Sequence, residues 1–324
     1  MVVRMPSPSP TLRDVAREAG VSHMTVLRAL NNSPRVAATT ALRVREVAER
    51  MHYRRDPALS ALAAYRWRKS SHAGGAVLAF LDCDGTGHSR RVLAGARREA
   101  DYLGYRIDDF PLPANAAGQA RLSRMLFHRG IRGLLFGPAN HSCRFEGWTW
   151  EEFAPVALDA LAHDPPLNAV AMDYFHGART AVEYLHQLGC TRIGLAISSD
   201  LEARTDHRWV GGGLASSPGL PVFQGNPFSA RPLRHWAREH HLDGAITIHR
   251  EVHASLRSLA IRTVFLNNTD CPPDVPRLVL ESETIGSEGV RLVHHALLRG
   301  ELGLPEEPKT VTLRGRWTTE HAVR

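Results

Sequence analysis

The chain opens on a helical rhythm. Leu12, Val15, Ala16 and Ala19 recur at spacings of three and four, one apolar stripe that Gly20 ends. Thr11 stands as N-cap, with Asp14 three residues on as a weaker form of the capping box. Ser22 caps a second short helix in which Val26, Leu27 and Leu30 point inward, and Asn31-Asn32-Ser33-Pro34 breaks it. A third helix is predicted over about residues 38–52, with Leu42, Val44, Val47, Ala48 and Met51 apolar and Ala37 where a capping hydroxyl is expected. Asp56-Pro57 starts a fourth, short helix, Asp as N-cap and Pro in the first turn. Ser70 to Gly75 reads as a flexible joint.

After residue 75 the rhythm changes. AVLAFLDC reads as a buried strand, followed by a helix at about 89–103 that Gly104 ends. Then come YRIDDF, a helix near 118–129, GIRGLLFG, APVALDA and NAVAMD, the helix of HGARTAVEYLHQLG, and the strands TRIGLAIS, DGAITIH and RTVFLNN. Strand alternating with helix implies parallel sheets with helices on both faces. In GGGLASSPGLP three glycines and Ser-Ser-Pro-Gly favour a loop, and the spacing fits no phosphate-cradling motif.

The chain has 324 residues, enough for two or three domains. No apolar run reaches membrane-spanning length, and MVVRMPSPSP has no apolar signal core, so a frayed tail over 1–10 and a cytoplasmic protein are expected. Charge changes the picture more. Residues 1–72 hold 13 Lys+Arg against 5 Asp+Glu, a net +8, while the rest holds 27 against 28. A short basic head on a neutral body points to a polyanion partner, and its cations are almost all Arg, which grips phosphates and guanine edges in a bidentate fork. Cys83, Cys143, Cys190 and Cys271 are scattered with no CxxC, and buried, inert thiols are expected. The 18 histidines include His240-His241 and His294-His295, but adjacent helical residues do not share a face, and HExxH, GxSxG and P-loop motifs are missing. No enzyme, metal or cofactor is expected.

TLRDVAREAGVSHMTVLRALN, residues 11–31, resembles at nearly every fixed position the DNA-binding head of the LacI family of bacterial transcription regulators. EADYLGY, GIRGLLF and VALDALAHDPPLNAVAMDYFHGARTAVEYLHQLGCTRIGLA are similar to the family's effector-binding core, well over about 76–198 and less so over 199–280. The resemblance implies an all-α helix-turn-helix head over 11–55, a hinge helix and linker over 56–74, and a periplasmic-binding-protein-like α/β core over 75–324. That core would have two Rossmann-like subdomains, one of about 75–172 and 282–308, the other of about 173–281 and 309–324. It also implies a homodimeric regulator, a repressor in the first instance, binding a palindromic double-stranded operator with a small molecule in the core cleft.

In such a head the first residues of the second helix face base edges in the major groove. Here these are Ser22, His23, Met24 and Thr25, with Arg28 a turn on. His23 and Met24 match the family's variable base readers and Arg28 its groove-facing arginine, suited to guanine O6 and N7. Thr11, Ser22, Thr25 and Asn31 are candidates for phosphate contact, which fixes register rather than sequence. Leu62 matches the leucine that wedges into the minor groove, and Ala63 is one of the small residues beside it that allow close approach. Leu27 stands where the family usually has Ser.

In the core, Asp159 and Asp173 match strand-end positions near the cleft and Arg208 the family's cleft arginine. Carboxyl ends of parallel strands are where ligands sit in open α/β sheets, though either Asp also suits a helix cap or a loop hydrogen bond. His249-Arg250 stands where many sugar-responsive members have Asn-Asp, and Asn267-Asn268 where a later Asp grips sugar hydroxyls. With two carboxylates missing and a cation added, an anionic effector, a sugar phosphate or sugar acid, fits better than a neutral sugar. A regulator with no effector, or one answering to a partner protein, is the alternative. A solute-binding transport protein shares the core fold but has no such head.

Overall fold

The computed structural model describes residues 10–30, 36–53, 76–139, 143–225, 228–268 and 271–318. The expected helix from Asp56, with Leu62 and Ala63, lies outside the described residues, as does Asn31. The side chains of Met24, Leu27 and Arg28 lie outside them too. Contacts divide the chain into two compact units, the head in one and most of the α/β body in the other.

Three helices make the head: α1 (Leu12–Ala19), α2 (His23–Leu30) and α3 (Ala38–Arg50). Their apolar stripes meet in one small core of Val15, Ala16, Ala19, Val26, Ala29, Ala41, Val44, Val47 and Ala48. The periodicity placed most of this face, and two details differ. Ala29 is fully buried, while Leu42 is 56% exposed. Residues 41, 44 and 48 define the inward stripe of α3, and Leu42 sits a residue, roughly 100°, off it. Ala37 caps α3 without a side-chain hydrogen bond, as its methyl requires.

The body begins with β1 (Ala76–Asp82), α4 (Gly87–Leu103), β2 (Tyr105–Pro111), α5 (Ala116–His128) and β3 (Gly133–Phe136). β4 (Cys143–Arg144), β5 (Ala154–Leu158), β6 (His163–Asp164), β7 (Asn168–Met172), α6 (Tyr174–Gln187) and β8 (Ile193–Ile197) follow. Next come α7 (Ser199–Arg204), α8 (Arg208–Ser216), β9 (Val222–Gln224), α9 (Ala230–Glu239), β10 (Gly244–Thr247), α10 (Arg250–Arg257) and β11 (Arg262–Phe265). β12 (Leu278–Val279), α11 (Ser282–Arg299), β13 (Thr310–Leu313) and β14 (Arg316–Trp317) complete the described chain.

Two open sheets result. The larger runs β13-β7-β5-β3-β1-β2, and its pairs from β13 through β1 are parallel. The smaller runs β11-β10-β8-β9 and is parallel throughout. β3, β5, β8 and β10 are buried along their whole length, the mark of parallel strands covered on both faces.

Two expectations need correction. The last strand, which the family resemblance assigns to the second subdomain, is two strands. β13 adds to the edge of the first sheet, with Val311 opposite Val170, and only β14 turns to pair antiparallel with β12. The glycine-rich stretch is helical: Gly211, Gly212 and Gly213 lie within α8. Tertiary packing overrides propensity here. A Cβ on Gly212 would strike the Phe175 carbonyl of α6, and one on Gly213 would press Leu220 Cδ2 at 2.7 Å, so glycine is what lets α8 lie against α6. α4 and α11 meet in the same way, Gly95 against the Glu283 backbone and Gly286 against the Val92 carbonyl.

Candidate functional site

In the head, local hydrogen bonds fix the geometry. Thr11 Oγ1 accepts from Asp14 N at 3.3 Å while Asp14 Oδ2 accepts from Thr11 N at 2.9 Å, a complete capping box. The hydrogen bond from the Thr11 hydroxyl holds the Asp14 carboxyl below its usual range. Gly20 closes α1 in the left-handed region at φ 65°, which turns the chain into α2. Ser22 Oγ then accepts from Thr25 N at 3.1 Å and lies 2.9 Å from Thr25 Oγ1. Ser22 and His23 are exposed at the start of α2, while Val26 and Ala29 anchor it from behind. Arg50 pairs with Glu18 at 2.8 Å, tying α3 to α1. One face of α2 is thus packed and its N-terminal turn is presented to solvent.

In the body, a buried polar cluster gathers at the carboxyl end of the first sheet. Asp159 follows β5 in the left-handed region at φ 53°. Its carboxylate meets His88 Nε2 at 2.8 Å and Tyr174 Oη at 2.5 Å, and Arg204 Nη1 lies 3.5 Å from Oδ2 and also donates to the Asp159 carbonyl. An ionised carboxylate only accepts, so His88 Nε2 carries the proton, and its Nδ1 faces Ser282 Oγ at 3.1 Å. Asp159 and Arg204 are buried. Burial alone would raise the Asp159 carboxyl; the His88 hydrogen bond and the Arg204 charge outweigh it and hold the group well below the usual carboxylate range. Burial, then the neighbouring carboxylate, pushes the Tyr174 hydroxyl well up.

This cluster joins the two sheets. Asp159 belongs to the loop after β5, Arg204 to α7 beside the second sheet, Tyr174 to the start of α6, and Ser282 to the start of α11. The backbone follows suit: Leu161 N and Ala162 N both donate to the Arg204 carbonyl, at 3.2 and 3.0 Å.

Residues 11–56 match the family model "Bacterial regulatory proteins, lacI family". The head is a LacI-family DNA-binding domain. Reg1, a helix-turn-helix-type transcriptional regulator of Streptomyces lividans, is 28% identical over 192 residues, covering 57% of this chain and 53% of that protein. GalR of Escherichia coli is 26% identical, covering 66% and 62%. The chain therefore spans about half the length of the curated relatives it matches first. Among solved structures, the lac repressor dimer bound to operator and the anti-inducer ONPF superposes with a TM-score of 0.56 at 17% identity, covering 96% of this chain and 98% of that one. The complex of the transcriptional regulator CelR with cellobiose gives the same score at 16% identity, with the same coverage of both chains. At these identities the likeness shows the fold: a helix-turn-helix head with a periplasmic-binding-protein-like core of parallel α/β sheets.

The α/β core places the expected cleft residues unevenly. Asp159 stands in the buried cluster. Asp173 is the N-cap of α6, accepting from His176 N at 3.0 Å, with Arg314 Nε 3.4 Å from its other oxygen. His249 stands at the N-cap position of α10 without a side-chain cap hydrogen bond; its Nε2 instead accepts from Ser198 N at 3.1 Å, and burial pushes its pKa down. Asp173 is thus occupied in holding a helix start and His249 in holding the backbone after β8. Arg250 is the exposed first residue of α10, and Asn268 is half-buried after β11. Arg208 opens α8, exposed, with Asp206 Oδ2 4.0 Å away.

The cation that meets Asp159 is Arg204, which sequence reasoning passed over together with His88, Tyr174 and Ser282. Arg204 and Arg208, four apart, would share a face if one helix ran through both. Asp206 and His207, at φ 55° and 56°, break that helix and send the two arginines to different surroundings. Glu202, fully buried, accepts at Oε1 from Val210 N at 2.9 Å across this break, its Oε2 has no hydrogen-bond partner among the described residues, and burial pushes its carboxyl up.

Proposed function

We propose that the protein is a sequence-specific transcription regulator that binds a palindromic operator as a homodimer, in the cytoplasm, and acts as a repressor. The observation that carries this reading is the capped helix-turn-helix of residues 11–30, exposed on the face where His23 stands, within the first 72 residues that hold the chain's whole excess of positive charge. In this reading His23, Met24 and Arg28 read base edges. Thr11, Ser22, Thr25 and Asn31 contact phosphates, and Leu62 with Ala63 enters the minor groove. A small molecule in the core cleft, near Asp159, Asp173, Arg208, His249, Arg250 and Asn268, modulates the affinity. A sugar phosphate or sugar acid is the favoured class, because Arg208 and Arg250 supply cations.

A second reading has one observation in its favour. The Asp159 carboxylate is buried and already engaged by His88, Tyr174 and Arg204, which reduces its capacity for a sugar hydroxyl. A regulator without a small-molecule effector would carry such a self-filled cluster.

Selection of bound duplexes from a random pool, followed by gel shift, tests the main reading. Wild type should enrich a palindrome, and Arg28→Ala should lose specific binding while keeping its circular dichroism spectrum. No preference for the selected palindrome over scrambled competitor would overturn it. Thermal-shift screening against sugars, sugar phosphates and sugar acids separates the two effector readings.

A further inference from the structure

The scattered cysteines are not all solitary. None of the four is in a disulfide. Cys83 and Cys143, about sixty residues apart in the chain, nevertheless pack in one cluster of the first sheet, among Ala79, Leu81 and Ala139. The Cys83 thiol lies 3.5 Å from the Leu81 carbonyl and within hydrogen-bonding reach of the Cys143 sulfur. The two thiols are unequal. The Cys83 hydrogen bond and the nearby Arg204 charge favour the Cys143 thiolate, whereas the Cys83 thiol is pushed well up by the same contact and by burial. The neighbouring charges differ: Arg204 favours a thiolate at Cys143, and the Asp82 carboxylate disfavours one at Cys83, which makes Cys143 the attacking sulfur.

Their connections lead to the buried cluster. Cys83 follows Asp82, whose Oδ1 accepts from Ser89 Oγ at 2.7 Å and Gly85 N at 3.1 Å, seating the first turn of α4 that carries His88. Cys143 N donates to the Ala162 carbonyl at 3.3 Å, and Ala162 N in turn donates to the Arg204 carbonyl. A bond between the sulfurs would join the loop that positions His88 to the loop that holds Arg204.

We propose that Cys83 and Cys143 form a reversible dithiol–disulfide site, oxidised by peroxides, that fastens the junction between the two sheets. The chemistry balances. The Cys143 thiolate attacks one oxygen of hydrogen peroxide, the O–O bond breaks, and after proton uptake the products are a sulfenic acid and water. The Cys83 sulfur then attacks the sulfenic sulfur, displacing hydroxide, which takes the thiol proton and leaves as a second water. Both sulfurs are oxidised by one electron each, the peroxide is reduced by two, and a sulfur–sulfur bond of about 2.05 Å forms. A dithiol reductant reverses it by exchange.

The proposal rests on the cysteine geometry and not on the DNA-binding reading. Full-length protein is treated with a small excess of hydrogen peroxide, alkylated and digested without reduction. The expected product is a peptide pair linking Cys83 to Cys143, lighter by two hydrogens and abolished by dithiothreitol, with Cys190 and Cys271 still alkylated. The oxidised protein should melt several degrees above the reduced one. Cys83→Ser should lose both the linked peptide and that rise, and leave a dimedone-reactive sulfenic acid at Cys143. Absence of the linked peptide from wild type, or oxidation of Cys190 and Cys271 at an equal rate, would overturn the proposal whatever the variant does.

Discussion

Asp159 shows how far a single residue can be read from its neighbours in the chain. A carboxylate just after a buried strand is a recognisable strand-end acid, and that much was legible in VALDA. Its partners were not, because His88, Tyr174 and Arg204 come from three distant segments that only the folded sheets bring together. Arg204 also competes in the sequence with Arg208, and the two left-handed residues between them decide which turns inward. A buried pair of this kind is costly to half-remove, since the remaining charge has no water to return to. Asp159→Asn should therefore destabilise the protein by about 3–5 kcal/mol in a urea titration. The sign of the pH effect follows from the depressed carboxyl. Its contribution is present above the unfolded carboxylate range, near pH 4, and is lost as pH falls through the lower folded value. Wild type should lose stability on acidification below that range more steeply than the Asn variant. Parallel slopes for the two proteins would mean that Asp159 is not held ionised.

At the scale of elements, local signals served well where they are self-contained. The Thr11–Asp14 capping box, the Gly20 stop and the Ser22 cap involve neighbours three or four residues apart, and each forms as read. Buried strands such as β5 and β8 were legible because nothing but apolar residues fills them. The glycine run failed for a nonlocal reason: helix propensity disfavours it, but the approach of α8 to α6 requires it. That approach yields a test. Gly212→Ala would gain roughly 1 kcal/mol of helix propensity if α8 were solvated. Against the Phe175 backbone the added methyl has nowhere to go, and a net loss of about 1–3 kcal/mol is expected. Gly211→Ala is the control, since the nearest atom to its Cβ, Phe175 Cδ2, is 3.8 Å away. The thermal midpoint of the Gly212 variant should fall and that of the Gly211 variant should hold or rise. Equal shifts in both would show that propensity, not packing, governs this helix.

Over the whole molecule, β13 shows what a linear reading cannot supply. The family resemblance put it in the second subdomain, yet its Thr310–Leu313 backbone completes the edge of the first sheet beside β7. Edge membership depends on which exposed ladder a passing strand reaches, and that is a property of the assembled sheet. Charge, in contrast, is fully legible in the sequence. The first 72 residues are net positive by eight while the remainder nearly balances, so a field that attracts a polyanion has its source in that segment alone. If phosphate contacts from this segment dominate, each neutralised phosphate releases a condensed counterion, and log affinity falls linearly with log salt. Two heads making together about 6–10 such contacts would lose on the order of 10³–10⁵ in affinity between 50 and 200 mM salt. Fluorescence anisotropy of a labelled duplex across that range measures the slope. The body without its first 75 residues, being close to neutral, should show no comparable binding at any salt. A shallow slope in the full chain, or strong duplex binding by the body, would place the nucleic-acid contact outside the basic head.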